Sequence, residues 1–260
     1  MGTFRTLLQP LVRRRAGVVV LSFHGAQLAS PGDARRCADQ IERVVERARV
    51  ITLDEAVRGL SREDPAVAHS MVVTVDDVSA AFAAVVVPVL VRHHVPATMF
   101  LTTSLVGDES SARPEPPPIS WSRVNELVGT GVVTLGSRSH TGATLERASA
   151  TAASAEIGRS IDLITERTGR TPAHFAYPGG LAGSPEADAL VRAHFHSASA
   201  GRGRINVIGR TDVHGLVRPV VTPRMRRLEL DGLIRAAGPP PSRGPRDSAS
   251  WPGTLDAPGR

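Results

Sequence analysis

Short runs of apolar residues alternate along the chain with longer stretches in which apolar positions recur every three or four residues. The short runs suit buried strands and the longer ones amphipathic helices, which predicts a parallel sheet or barrel with helices outside it. Residues 18–23 form the first predicted strand. A helix follows to about residue 48, with Asp33 as its predicted cap and Cys37, Ile41, Val44 and Val45 along one face. Residues 50–52 are short and extended, 53–60 predict a helix, and 71–75 form a strongly apolar strand. A helix over 80–92 contains Pro88, which predicts a kink. Strands at 98–102 and 132–135 are separated by a polar loop, proline-rich at 113–118, and by a helix opening at Ser120 or Trp121. A long helix covers 150–168 with Ile157, Ile161 and Ile164 inward, and short strands at 174–177 and 196–199 flank a helix at 185–193. No internal repeat is visible. Pattern alone fits a doubly wound sheet and a barrel equally well.

Composition narrows the class. The chain has 260 residues, enough for one sizeable core, and 41% of them are hydrophobic. Aromatics make up only 3%, so that core rests on Val, Leu, Ile and Ala. All 31 basic residues are Arg, and the pI of about 11.0 follows from that more than from the net charge of +6. The arginines are scattered among acids, as where Asp33 and Asp39 flank Arg35 and Arg36, which is no nucleic-acid footprint. Cys37 is alone, so no internal disulfide framework exists. No apolar run approaches the roughly 20 residues of a membrane helix. Arg13, Arg14 and Arg15 before the apolar residues 16–23 imitate a signal peptide, but no small-residue cleavage pattern follows. The stretch reads better as a strand, and a cytoplasmic location is expected. From residue 238 on, Pro, Gly, Ser and Arg dominate and little can be buried, so residues 238–260 are predicted to be a disordered tail.

Active sites of parallel α/β folds gather at the C-terminal ends of strands. Three predicted strand ends carry unusual residues. The first is Thr74-Val75-Asp76-Asp77, two adjacent carboxylates whose side chains point in different directions, so one can hold a metal while the other acts as base. An equally open reading is a helix cap ahead of the helix that begins near Ser79. The second runs from Gly136 through Ser137, Arg138, Ser139, His140, Thr141 and Gly142 to Leu145, and by itself it is a polar loop. The third is Phe175-Ala176-Tyr177-Pro178-Gly179-Gly180, a strand that breaks into a turn.

In this order and spacing the three resemble the polysaccharide deacetylases (NodB-like), a family of metal-dependent carbohydrate esterases. The family patterns are Thr-Phe-Asp-Asp-Gly, then Gly-Ser-His-Ser/Thr-x-Ser/Thr-His-x-x-Leu, then Phe-x-x-Pro-x-Gly. Ser22-Phe23-His24-Gly25, residues 50–60, residues 95–101, Trp121 to Val124 with Gly131, and residues 216–221 also resemble family segments. The resemblance implies an incomplete or distorted (β/α) barrel of about seven strands. It implies a single domain at 17–237 behind an N-terminal extension at 1–16. The reaction it implies is hydrolysis of N- or O-acetyl groups on a glycan, with a zinc-like divalent metal polarising the carbonyl and activating water.

Carried over position by position, the resemblance makes Asp76 the general base and Asp77 a metal ligand. The backbone N–H at Gly179 becomes an oxyanion donor, and Tyr177 and Trp121 border the substrate. The two metal histidines, however, fall on Arg138 and Gly142. Arg offers a cation no lone pair and Gly offers no side chain. A catalytic zinc site usually wants three protein ligands, so the metal is not expected to bind here unless His24, His140 or His214 compensates. Val75 and Val78 are further departures, and Gly179 stands where an aromatic often sits. Arg138 is expected to pair with Asp77 or Asp76 and so place a fixed positive charge where the metal would be. Two readings follow: an impaired deacetylase, or a pseudoenzyme that binds a carbohydrate or a protein partner.

Overall fold

The computed structural model describes residues 16–25, 30–107, 119–201 and 203–238. The predicted extension (except Ala16), the 113–118 loop and the predicted tail from residue 239 on lie outside these residues.

The chain alternates strand and helix as its apolar periodicity requires. The strands are β1 (Gly17–His24), β2 (Arg49–Val50), β3 (Ser70–Asp76), β4 (Ala97–Leu101), β5 (Val133–Ser137), β6 (His174–Ala176), β7 (Ser197–Ser199), β8 (Asn206–Val207) and β9 (Val220–Val221). The helices are α1 (Pro31–Arg47), α2 (Leu53–Ser61), α3 (Ala80–Val85), α4 (Val87–Arg92), α5 (Trp121–Gly129), α6 (Ala150–Thr168), α7 (Pro185–His194) and α8 (Arg227–Ala237). Six of them begin on a Ser or Thr whose side-chain oxygen accepts a backbone N–H of the first turn: Ser30, Thr52, Ser79, Ser120, Ser149 and Ser184. Two expectations shift accordingly. Ser30 caps α1 and Asp33 sits inside its first turn, because the serine can accept from the Asp33 N–H. The helix over 80–92 is two helices broken at Val86, with Pro88 in the first turn of α4, where its missing N–H costs nothing.

The sheet runs β7-β6-β5-β4-β3-β1-β8, with β2 beside the start of β3 and β9 beside the end of β1. Every pairing is parallel except β1 with β8. This curled sheet is the distorted barrel that the resemblance implies, and its two ends do not meet strand to strand. The segment 216–221 spans the seam instead: Leu216 bridges to Ser199 of β7, and Val220 and Val221 pair with Ser22 and Phe23 of β1. Backbone bonds from Ala200 N to Leu216 O (3.0 Å), Leu216 N to Ala198 O (3.0 Å) and Ser22 N to Pro219 O (3.0 Å) fasten it on both sides.

Aliphatic side chains fill the core. Val19, Leu21, Met71, Val73, Val75, Met99 and Leu101 pack against Ile41, Val44, Phe82, Leu90, Val124 and Leu127 from the surrounding helices. Each such side chain contributes about 1.5–3 kcal/mol when fully buried. Arg43 of α1 grips both oxygens of Asp231 in α8 at 2.7 Å, which holds the last helix against the first.

One close approach ties this packing to the barrel mouth. Gly136 of β5 lies opposite Phe100 of β4. A Cβ there would stand 2.5 Å from two ring carbons of Phe100 and 3.0 Å from the carbonyl oxygen of His174. The Phe100 ring in turn supports the Arg218 guanidinium, 4.8 Å above its centre. Gly136→Ala should therefore lower stability by about 1–3 kcal/mol through overpacking. The check is a lower urea midpoint at unchanged m-value; an unchanged midpoint would mean that Phe100 moves aside freely.

Candidate functional site

The strand ends of β1, β3, β5 and β6 open on one cleft of about 470 Å³. Its lining includes Ser22, His24, Asp76, Arg138, Tyr177, Gly179, Gly180, Ser199, Gly201 and Arg218. The three motifs, roughly 60 and then 40 residues apart in the chain, converge here because each follows a parallel strand of the same sheet.

Asp76 ends β3 and is 2% exposed. Arg218 approaches from the seam segment with a two-nitrogen grip: Nη1 donates to Oδ1 at 2.7 Å and Nη2 to Oδ2 at 3.0 Å. The same Nη1 donates to Thr74 Oγ1 at 2.9 Å, and Ser22 Oγ donates to Asp76 Oδ2 at 3.2 Å. His24 Nε2 stands 3.7 Å from Oδ2. Burial by itself would raise the pKa of Asp76. The charge and hydrogen bonds of Arg218 outweigh it, with Arg138 and His24 adding, and hold the carboxyl below its ordinary value. Burial pushes His24 the other way, below its ordinary value, which the nearby Asp76 only partly offsets.

Asp77 takes a left-handed backbone (φ 51°) just beyond the strand, which turns its side chain away from that of Asp76. Its Oδ1 accepts from Thr102 Oγ1 at 2.7 Å and its Oδ2 from Arg138 Nη1. Arg138 Nε lies 3.9 Å from Asp76 Oδ2. The guanidinium thus sits between the two carboxylates, as the sequence led us to expect. Neither Asp caps a helix, since Ser79 does that with a 3.2 Å bond from Phe82 N.

The loop carrying Arg138 is held in place by its own polar residues. Arg138 N donates to Leu101 O (2.9 Å), Gly142 N to Ser139 Oγ (3.1 Å), and Glu156 accepts from His140 N (3.1 Å) and Thr141 N (2.8 Å). Gly142 has a left-handed backbone (φ 77°), and a Cβ on it would lie 3.1 Å from Thr102 Cγ2. That backbone suits glycine and strains any larger residue.

These residues do not fit a divalent cation. Asp77 already accepts from Thr102 and a guanidinium. His140 Nδ1 bonds Thr103 Oγ1 at 2.9 Å, and His214 Nε2 bonds Phe195 O at 2.9 Å beyond the starting end of β7. His24 Nε2 faces Asp76 Oδ2 at 3.7 Å. Among the described residues no group of three His, Cys, Asp or Glu side chains comes together.

The remaining site residues divide. Gly179 lines the cleft in the turn Pro178–Gly180, with φ 69°. Tyr177 borders the cleft but is only 1% exposed; its ring packs edge-on to Phe175 at 5.1 Å, and its hydroxyl donates to Asp188 Oδ1 at 3.0 Å. Trp121 is buried in the main core and is not part of the cleft lining. Sequence reasoning passed over Ser22 and Arg218, although both lie within segments it had singled out.

Because Asp76 is buried, losing Arg218 leaves a charge without its partner. Arg218→Met should destabilise the fold by about 3–5 kcal/mol, while Asp76→Asn with Arg218→Met should cost much less than the two singles added together. Urea unfolding of all four proteins measures the coupling, and additive costs would show that the pair is not coupled. The sign with pH follows: a depressed carboxyl stabilises above its unfolded pKa, and that stability is lost as pH falls through the folded value. Asp76→Asn should flatten this acid loss.

With the geometry in hand, comparison with known proteins becomes informative. No curated protein matches the chain. The solved deacetylase PplD of Streptococcus pyogenes, in complex with acetate, superposes with a TM-score of 0.69 at 18% identity, over 86% of this chain and 100% of that one. IcaB from Ammonifex degensii gives 0.65 at 21% identity, over 85% and 97%. The BpsB deacetylase domain from Bordetella bronchiseptica gives 0.61 at 17%, over 78% and 95%. At these identities the likeness speaks for the fold. The family model described as polysaccharide deacetylase matches residues 63–196, just over half of the chain and spanning all three motifs. The chain belongs to the polysaccharide deacetylase family.

Proposed function

We propose that this family member keeps a glycan-binding cleft and has lost metal-dependent deacetylation. One observation carries the reading: both oxygens of Asp77 are occupied from within, one by Thr102 Oγ1 and the other by the Arg138 guanidinium. A permanently charged Arg cannot donate a lone pair to a cation, and its own charge repels one. When a divalent metal is bound in such an enzyme, it polarises the acyl carbonyl and generates the nucleophilic water. Among the described residues no group of three His, Cys, Asp or Glu side chains comes together to take on that task. Asp76 is a poor base here, since its carboxyl is held in the charged form by Arg218 and both of its oxygens already accept hydrogen bonds.

The binding half of the reading rests on what the cleft retains. Its volume lies within the range of small-ligand pockets, roughly 300–1,000 Å³. Its wall includes Gly179, Gly180, Ala200, Gly201 and Gly203, whose lack of bulk leaves room for a sugar ring. Leu181 and Val220, 44% and 45% exposed, supply apolar surface close to it, against which the C–H faces of a sugar can rest. The ligand of this reading is an acetylated glycan, held rather than cleaved.

Removing a residue that merely supports a metal ligand costs roughly 10–100-fold in metal affinity or activity, so replacing two ligands should abolish turnover. Purified protein offered zinc, cobalt or nickel should retain none of them after gel filtration and should release no acetate from N-acetylated chitotetraose. Calorimetry should show binding of that oligosaccharide unchanged by EDTA. Metal-dependent acetate release would overturn the loss of catalysis, and absence of any glycan binding would overturn the binding role.

A further inference from the structure

Among the described residues, Asp76, Asp77, Arg138 and Arg218 at the mouth of the barrel balance in charge, but they are not evenly presented to the cleft. Asp77 is absent from the lining, whereas Arg138 and Arg218 are part of it. Asp76 reaches the cleft with both oxygens already accepting hydrogen bonds, from Arg218 and Ser22. Arg138 is less fully used than Arg218, which donates to Thr74 and to both oxygens of Asp76. Among the described residues Arg138 donates to Asp77 through Nη1, while its Nε is buried without a hydrogen-bond partner. His24 adds a ring nitrogen to the same wall. The polar end of the cleft therefore offers donors and positive charge, with its negative groups turned inward.

Such a cleft discriminates by charge. Among the described residues, an ammonium group finds two guanidiniums in the lining and no carboxylate oxygen without a hydrogen bond to accept its protons. A carboxylate finds the opposite, since guanidinium nitrogens bind it through charge-assisted hydrogen bonds. A neutral acetamide oxygen can accept the same bonds without the charge. The wall opposite leaves room for a substituent: Cβ atoms built on Gly180 and Gly201 would meet nothing within 4 Å, and one on Gly179 would make only ordinary contacts beginning at 3.7 Å.

We propose that the cleft selects sugars that carry a carboxylate, with the Arg138 guanidinium as the group that pairs with it. The proposal rests on the binding role above and adds the chemical class of the ligand. In place of a centre that polarises a neutral acyl group, the barrel mouth presents a fixed cation that recognises an acidic sugar.

Calorimetric titration of the intact protein with three tetrasaccharides tests this: a hyaluronan tetramer, which carries glucuronate, N-acetylated chitotetraose, and fully deacetylated chitotetraose. The acidic sugar should bind roughly tenfold more tightly than the neutral one, the difference between a charge-assisted and a neutral hydrogen bond. The amine should bind weakest. The acidic preference should shrink as salt rises, fall away in Arg138→Met, and return in part in Arg138→Lys, each variant checked for native circular dichroism. Equal or tighter binding of the neutral or the amine form would overturn the selectivity while leaving the binding role standing. No binding of any of the three would overturn the binding role, and the selectivity with it.

Discussion

The grip of Arg218 on Asp76 joins the two parts of this structure that the sheet alone leaves apart. Asp76 ends a central strand, and Arg218 lies on the segment that crosses the seam between β7 and β1. A carboxylate this deeply buried requires a partner, because removing a charge from water costs several kcal/mol unless it is paired and hydrogen-bonded. Arg218 provides two bonds and Ser22 a third, while Phe100 supports the guanidinium from below. Closure of the barrel and neutralisation of the buried acid are therefore one arrangement, and each depends on the other.

Asp77 presents the same electrostatic problem next door and solves it with a second arginine. Two adjacent carboxylates at one strand end repel each other, and some cation must sit between them. Here that cation is a side chain, and a guanidinium has no lone pair and no exchangeable position to offer a ligand. Gly142, in the same loop as Arg138, lies in a left-handed turn against Thr102 that strains larger residues. The charge requirement of the site is met from within the chain, by Arg138 and Arg218.

Many local features were legible in the residue order. Helix starts followed Ser and Thr caps, and α6 occupies the residues its isoleucine spacing called for. The motif spacing placed Asp76, Asp77, Arg138 and Gly179 at strand ends, and the sheet brings three of them, Asp76, Arg138 and Gly179, to the lining of one cleft. Pattern alone left sheet and barrel undecided, since both have the same alternation and differ only in whether the ends curl toward each other. The two aromatics expected at the cleft show the limit from another side. Tyr177 borders the cleft with its ring almost wholly buried, while Trp121 lies in the main core and does not line the cleft.

What the sequence determined by itself was whatever neighbouring residues decide among themselves: periodicity, caps, the paired carboxylates, and an Arg and a Gly in the loop after β5. The tertiary structure alone decided which distant group answers each charge. Arg138 lies 61 residues from Asp77, and Arg218 lies 142 residues from Asp76. No local preference encodes such pairings. They exist because a buried charge accepts whichever opposite charge the closed barrel brings within reach, and 31 arginines offered many candidates.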